Sequence, residues 1–343
     1  MNYILFRNFI LPVSAFVLLI PFVLYANAGE EYTIYMSVLS SRHHQWDNID
    51  NPVIGIFRSS DIGETWEHIG WRGYIRTFYT ETGPDGTIWA ACGNGVLRSG
   101  DNGKSFTITT GWEITEVLKV RVDPGSPGTV YAATAYGVFT SADYGQSWTE
   151  MNAGLPVLPF TSDLLIDQND SSVLFAATEE GIYRSIDDGG IAWKPTGLKG
   201  MGIRVLVQHP QDASVLFAGT EDHGIFKSSD GGKTWEQRNS SLEHRTVYSI
   251  VINPVDPAIL YAGTHGGGVY KTSDGGENWK QVVDGLTNFD VHSLVILPSD
   301  PGIIFAGTLN GGLFRSADGG ESWEFNSQDG GQVWGLSVTA VQD

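Results

Sequence analysis

SADGGESW at 316–323 and TSDGGENW at 272–279 are two copies of one eight-residue pattern, and the chain carries five more: SSDIGETW (59–66), SGDNGKSF (99–106), SADYGQSW (141–148), SIDDGGIAW (185–193) and SSDGGKTW (228–235). Their central acids are Asp61, Asp101, Asp143, Asp187, Asp230, Asp274 and Asp318, which stand 40 to 44 residues apart. That period is the length of one four-stranded propeller blade. Seven copies in register predict an all-β, seven-bladed β-propeller. The box has a local physical reason. A short turn between strands leaves backbone N–H groups unpaired, and a Ser hydroxyl and an Asp carboxylate can accept from them. Gly supplies a positive φ and Trp covers apolar surface beside the turn. The boxes are degenerate, with Phe106 for Trp, Thr272 for Ser and an extra residue before Trp193. Turn staples tolerate such drift and a catalytic constellation does not, so these seven Asp residues read as structural.

The sixth repeat shows how a blade is laid out. Val247–Asn253 is the inner strand, Ile259–Thr264 the second, Val269–Thr272 the third leading into its box, and Trp279–Val283 the outer strand. The ends of the propeller region do not begin and finish on a blade boundary. Thr33-Ile34-Tyr35 matches a second strand, and Gln332–Val338 matches an inner one. The C-terminal strand is therefore expected to complete the N-terminal blade, closing the ring and removing exposed edges.

The seven-box pattern resembles the Asp-box, or BNR, repeat family over essentially all of residues 29–343. That family includes sialidases, xyloglucan-cleaving endoglucanases, sortilin-type receptors and a photosystem assembly factor, and LYAGTHGGGVYKTSDGG (260–276) is similar in wording to the xyloglucanases. The resemblance implies a propeller and, for some members, glycoside hydrolysis. It departs from each branch. There is no Arg-Ile-Pro motif for a sialidase, no second propeller for a xyloglucanase and no Cys-rich module for a sortilin-type receptor. The assembly factor's basic patch is also foreign to a chain of pI about 4.6.

Residues 1–28 are expected to be a signal peptide. Arg7 precedes an apolar run from Phe9 to Tyr25, which Pro12 and Pro21 interrupt, and Ala26-Asn27-Ala28 forms a small-x-small cleavage site. The mature protein is then secreted or periplasmic, without a stable membrane span. Cys92 is the only cysteine, so no intrachain disulfide can form. A formal charge of −19 argues against nucleic acid or anionic lipid as partner. No motif calls for a cofactor, and the pair His43-His44 lacks a third ligand for a metal. The ring is expected to be a monomer.

Seven copies also serve as their own alignment. Phe78, Val120, Leu164, Leu206, Ile250, Leu294 and Leu336 form an apolar column that should pack blade on blade. Two residues earlier stand Arg76, Leu118, Ser162, Arg204, Tyr248, His292 and Trp334, a column of mixed chemistry expected at the mouth of the central channel. The turns between second and third strands add Glu179, Glu180, Glu221, Asp222, His223, His265 and Asn310 on the same face. A longer insertion, Ser40–Pro52, brings His43, His44, Trp46, Asp47 and Asp50. Loops on a rigid scaffold are where binding residues gather. Arg76, Arg204, Tyr248, His292, Trp334, Trp46, His223 and His265 are thus the candidate ligand contacts, with Trp71 and Trp112 as further sugar platforms. Arg76, Arg204 and Arg245 can instead be engaged by neighbouring carboxylates, and polar residues at a channel mouth can simply be solvated. Cys92 stands where other repeats have Thr and reads as a small buried residue. Two readings follow. The first is a non-catalytic binding module for a glycan or an extracytoplasmic protein. The alternative is a glycoside hydrolase using paired carboxylates among Glu179, Glu180, Glu221 and Asp222.

Overall fold

The computed structural model describes residues 31–43, 53–70, 75–185 and 192–341. The signal segment, Trp46, His44, Asp47, Asp50, Trp71 and Asp187 lie outside the described residues. Seven four-stranded antiparallel sheets make seven blades, as the repeats require. Blade six follows its sequence reading closely, with strands Val247–Ile252, Leu260–Thr264, Gly268–Thr272 and Lys280–Gln281. Second strands are the most buried, because neighbours cover both of their faces; all five residues of Leu260–Thr264 are buried.

The ring closes as the sequence implies. The strand Gly331–Ala340 pairs with Tyr32–Ser41, which continues to Gly55–Ser59 and Glu67–Ile69. The register joins Tyr32 to Ala340 at one end and Ser41 to Gly331 at the other. Ile34, Met36 and Val38 from the N-terminal side and Val333 and Leu336 from the C-terminal side share one core with Val295, Phe305 and Leu313 of blade seven.

The boxes staple turns. In the last, Ser316 Oγ donates to Asp318 Oδ1 (2.8 Å) and accepts from Gly320 N (2.8 Å), while Asp318 Oδ1 accepts from Ser322 N (2.9 Å). Gly320 takes a φ of 83°, a backbone geometry that costs Gly nothing. In three boxes the residue before this Gly is also left-handed without being Gly: Ile62, Asn102 and Tyr144. Donated hydrogen bonds hold the carboxyls of Asp61, Asp101, Asp143, Asp230, Asp274 and Asp318 down at about 2. At the start of the fourth box Ser185 Oγ accepts from Leu174 N.

The box Trp does more than cover the turn. Nε1 of Trp193, Trp279 and Trp323 donates to Met151 O, Arg238 O and Val282 O, each in the preceding blade. Trp66 does the same across the closure, donating to Asn326 Oδ1 at 2.8 Å. These four boxes therefore stitch their blades to the ones before, whereas Trp235 Nε1 donates to Gly232 O inside its own box.

Candidate functional site

Every inner strand carries a β-bulge near its start, one residue into its pairing in six blades and between Val333 and Gly335 in the closing strand. In blade six Val247 pairs with Thr264 and Ser249 with Gly263, which leaves Tyr248 unopposed. A bulge re-aims the extra residue out of the sheet. Repeated around the ring, it puts Phe78, Leu118, Ser162, Arg204, Tyr248, His292 and Trp334 at equivalent positions. All seven line one cavity of about 340 Å³ at the upper end of the central channel. The same face carries the turns between second and third strands.

The register corrects the sequence alignment in blade two. Thr77 pairs with Cys92, as Val117 pairs with Thr134, so Phe78 and not Arg76 occupies the channel-mouth position. Thr80 rather than Phe78 then belongs to the apolar column. Arg76 is exposed and does not line the cavity. The alignment slipped by two because a bulge residue has no fixed chemistry to mark it.

Three of the seven form a stack. The Tyr248 and His292 rings are 4.4 Å apart at 23°, and those of His292 and Trp334 3.9 Å apart at 35°. Phe78 meets Trp334 edge-on at 5.6 Å. Burial within this stack pulls the His292 imidazole down to about 4, against a hydrogen bond to Trp334 O that pulls the other way. It is neutral at physiological pH.

Beside the stack, Arg204 is clamped. Its Nη1 donates to Glu179 Oε1 at 2.8 Å and its Nη2 is in contact with Glu221 Oε2. Two of the four candidate catalytic carboxylates are thus joined by one guanidinium. Asp222 Oδ1 accepts from Thr246 Oγ1 at 3.2 Å, and Glu180 does not line the cavity. His265 Nδ1 lies 2.8 Å from Asp290 Oδ1. His223 is exposed, and its backbone carbonyl accepts from Gln237 and Asn239. His43 sits against Asp329. Among the described residues no group of three or more His, Cys, Asp or Glu is placed to hold a metal. No helix among them is long and apolar enough to cross a membrane.

Sequence reasoning missed a second layer one residue deeper. Tyr79, Lys119 and Asp163 follow the bulges of blades two, three and four, and Arg121 and Glu81 lie two residues further down. Arg121 donates through Nη1 to Glu81 Oε2 (2.9 Å) and Tyr79 Oη (3.2 Å), through Nη2 to Asp163 Oδ1 (3.3 Å), and through Nε to Leu164 O (2.7 Å). Lys119 Nζ sits 3.5 Å above the Tyr79 ring. Burial pushes the Tyr79 phenol up to about 12. The repeat alignment held the signal for this layer: other blades carry Val205, Ser249, Ser293 and Gly335 where these carry Tyr79, Lys119 and Asp163.

Cys92 is buried, and desolvation raises its thiol to about 12. Its equivalents Thr134, Thr178, Thr220, Thr264 and Thr308 each donate to a Gly carbonyl that closes the following turn.

Residues 134–334 match the family model described as the DUF6242 beta propeller domain. The chain belongs to this family. No curated protein matches the sequence. Among solved structures, the GH74 xyloglucanase from Xanthomonas campestris is similar at 15% identity and a TM-score of 0.57, covering 85% of this chain and 58% of that one. YCF48 bound to a D1 peptide matches at 16% identity and 0.59, over 93% of this chain and 99% of that chain. The extracellular domain of a putative one-component system from B. thetaiotaomicron matches at 16% and 0.63, over 84% and 40%. At such identities the likeness shows the fold alone. The chain spans little more than half the length of the xyloglucanase.

Proposed function

We propose that this chain is a non-catalytic binding propeller of the Asp-box type, exported from the cytoplasm, whose channel mouth takes a glycan. One observation carries the reading. The bulges aim an aromatic stack, Tyr248–His292–Trp334, and the Arg204 clamp into one cavity. Sugars need that pairing, since aromatic surface takes the apolar side of a ring and charged groups bind its hydroxyls. The cavity falls in the roughly 300–1,000 Å³ range of small-molecule sites. Glycoside hydrolysis, by contrast, needs one carboxyl able to donate a proton and a second free to attack or activate water. Glu179 and Glu221 are both engaged by the Arg204 guanidinium, so neither stands free for that pair of roles.

A glycan array on the mature protein, with reducing-sugar release assayed on every hit, tests the reading. Trp334→Ala combined with Arg204→Ala should abolish binding. Glu180→Gln and Asp222→Asn should each leave binding intact; loss of turnover of a bound glycan in either variant would establish the hydrolase instead. Export is tested separately, by N-terminal sequencing of the mature chain, which should begin at Gly29.

A second reading has its own support. Trp112, Val157 and Leu158 are 90%, 98% and 81% exposed, and all lie in connections between blades on the upper face. Exposed apolar side chains gathered on one face suit a protein ligand, and YCF48 is a propeller of similar fold seen with a peptide. Deleting residues 42–52, which spares the paired Ser40 and Ser41, or Trp112→Ser with Leu158→Ser, would then abolish binding while the channel double variant binds normally.

A further inference from the structure

Among the described residues three cations line the channel cavity, Lys119, Arg121 and Arg204, and the two arginines each lie between two carboxylates. Arg204 lies between Glu179 and Glu221. Arg121 lies between Glu81 and Asp163. Lys119 is different. Its one ion pair is long: Asp163 Oδ1 is 3.7 Å from Nζ, beyond hydrogen-bonding distance. That oxygen already accepts from Arg121 Nη2 and from Leu164 N, and Asp163 Oδ2 accepts from Leu206 N. Glu81 is likewise committed, through Oε2 to Arg121 and through Oε1 to Val122 N. The remaining contact of the ammonium is the Tyr79 ring, 3.5 Å below it. A ring face attracts a cation but accepts no strong hydrogen bond. Lys119 is 18% exposed, and the exposed part lines the same cavity as Trp334, His292 and Arg204.

A partly desolvated ammonium with spare donors facing a cavity is an incomplete arrangement, because its N–H groups are costly to leave unmade. We infer that Lys119 is a recognition group for the carboxylate of an acidic sugar seated against the aromatic stack. This rests on the glycan-binding reading above and deepens it by naming the ligand class. The net charge of −19 opposes any anion at long range, but charges more than about 8 Å away are largely screened at physiological ionic strength. Contacts inside the cavity therefore decide.

The arrangement has a proton-linked signature. Burial lowers the Lys119 ammonium to about 8; Asp163 and Glu81 push it up, and Arg121 pushes it down. Tyr79 stays a neutral phenol, and the neutral His292 across the cavity adds no charge. A carboxylate bound to Nζ stabilises the protonated form, so binding takes up a proton above that pH. Affinity should hold below about pH 8 and then fall, up to about tenfold per pH unit.

Calorimetric titration of the purified protein with glucuronate and with glucose tests this. Glucuronate should bind at least tenfold more tightly than glucose near neutral pH, and the preference should fade above about pH 8. Lys119→Met should remove the preference. Lys119→Arg should keep it and abolish the fade, because a guanidinium does not titrate there; thermal melts of both variants confirm folding. Equal binding of the two sugars, an unchanged preference in Lys119→Met, or no glucuronate binding at all would overturn the inference. A neutral oligosaccharide that still bound through Trp334 and Arg204 would leave the broader binding reading standing.

Discussion

Removing the strand that closes the ring should prevent folding. Truncation after Gly330 deletes the partner of Tyr32–Ser41, together with Val333 and Leu336, which are 0% and 6% exposed. Burying a side chain of this size contributes roughly 1.5–3 kcal/mol, so the pair alone accounts for about 3–6 kcal/mol. The loss does not end there. Ile34, Met36 and Val38 lose their cover on one side, and so do Val295 and Phe305 of blade seven. Ser293 Oγ loses its acceptor at Val333 O, and Thr80 O loses the donor Ser337 Oγ. A whole domain has a net stability of about 5–15 kcal/mol, so the deletion consumes most or all of it. It also leaves the inner edge of Tyr32–Ser41 unpaired, a usual route to aggregation. Expression of the truncated chain should give insoluble protein, and a synthetic 331–341 peptide added during refolding should restore a cooperative thermal transition. As a control, truncation after Val341 should be tolerated, because it leaves the paired strand whole. A soluble monomer that melts cooperatively without the strand would refute the closure argument.

Other consequences follow from the boxes, the stack and the lone thiol. Ser316→Ala leaves the buried Gly320 N–H without its acceptor, and chemical denaturation should show a loss of about 1 kcal/mol with glycan binding unchanged. Acid should destabilise the protein in two steps. His292, held near 4 when folded, binds more protons when unfolded, so stability falls as pH drops from about 6.5 to about 4. The six described box carboxyls, held near 2, then lose their contribution as pH drops from about 4 toward 2. Melting temperature against pH should show both steps, and His292→Phe should erase only the first; a single step in both proteins would contradict the assignment. Cys92 should resist thiol reagents at neutral pH until the protein unfolds, since its thiol is buried and held protonated.

Sequence alone determined the architecture, because each blade repeats one local solution. The Ser-x-Asp-x-Gly turn is satisfied within about five residues of itself, as Ser316, Asp318, Gly320 and Ser322 show. Its period therefore counts the blades, and the mismatch between Thr33-Ile34-Tyr35 and Gln332–Val338 gives the closure. Sequence also gathered the candidate residues on one face, since the strand order puts the starts of the inner strands and the turns before third strands at one end. What tertiary structure decided is which side chains meet there. Phe78, rather than Arg76, faces the channel because a bulge, set by pairing across the sheet, chooses the residue. Arg204 meets Glu179 from 25 residues away, and Arg121 meets Asp163 from 42. Such contacts run between neighbouring blades, where the spacing of side chains depends on how one sheet is turned against the next. No local pattern encodes that angle, so the clamp on the candidate catalytic acids and the loosely paired ammonium of Lys119 became visible only in the assembled ring.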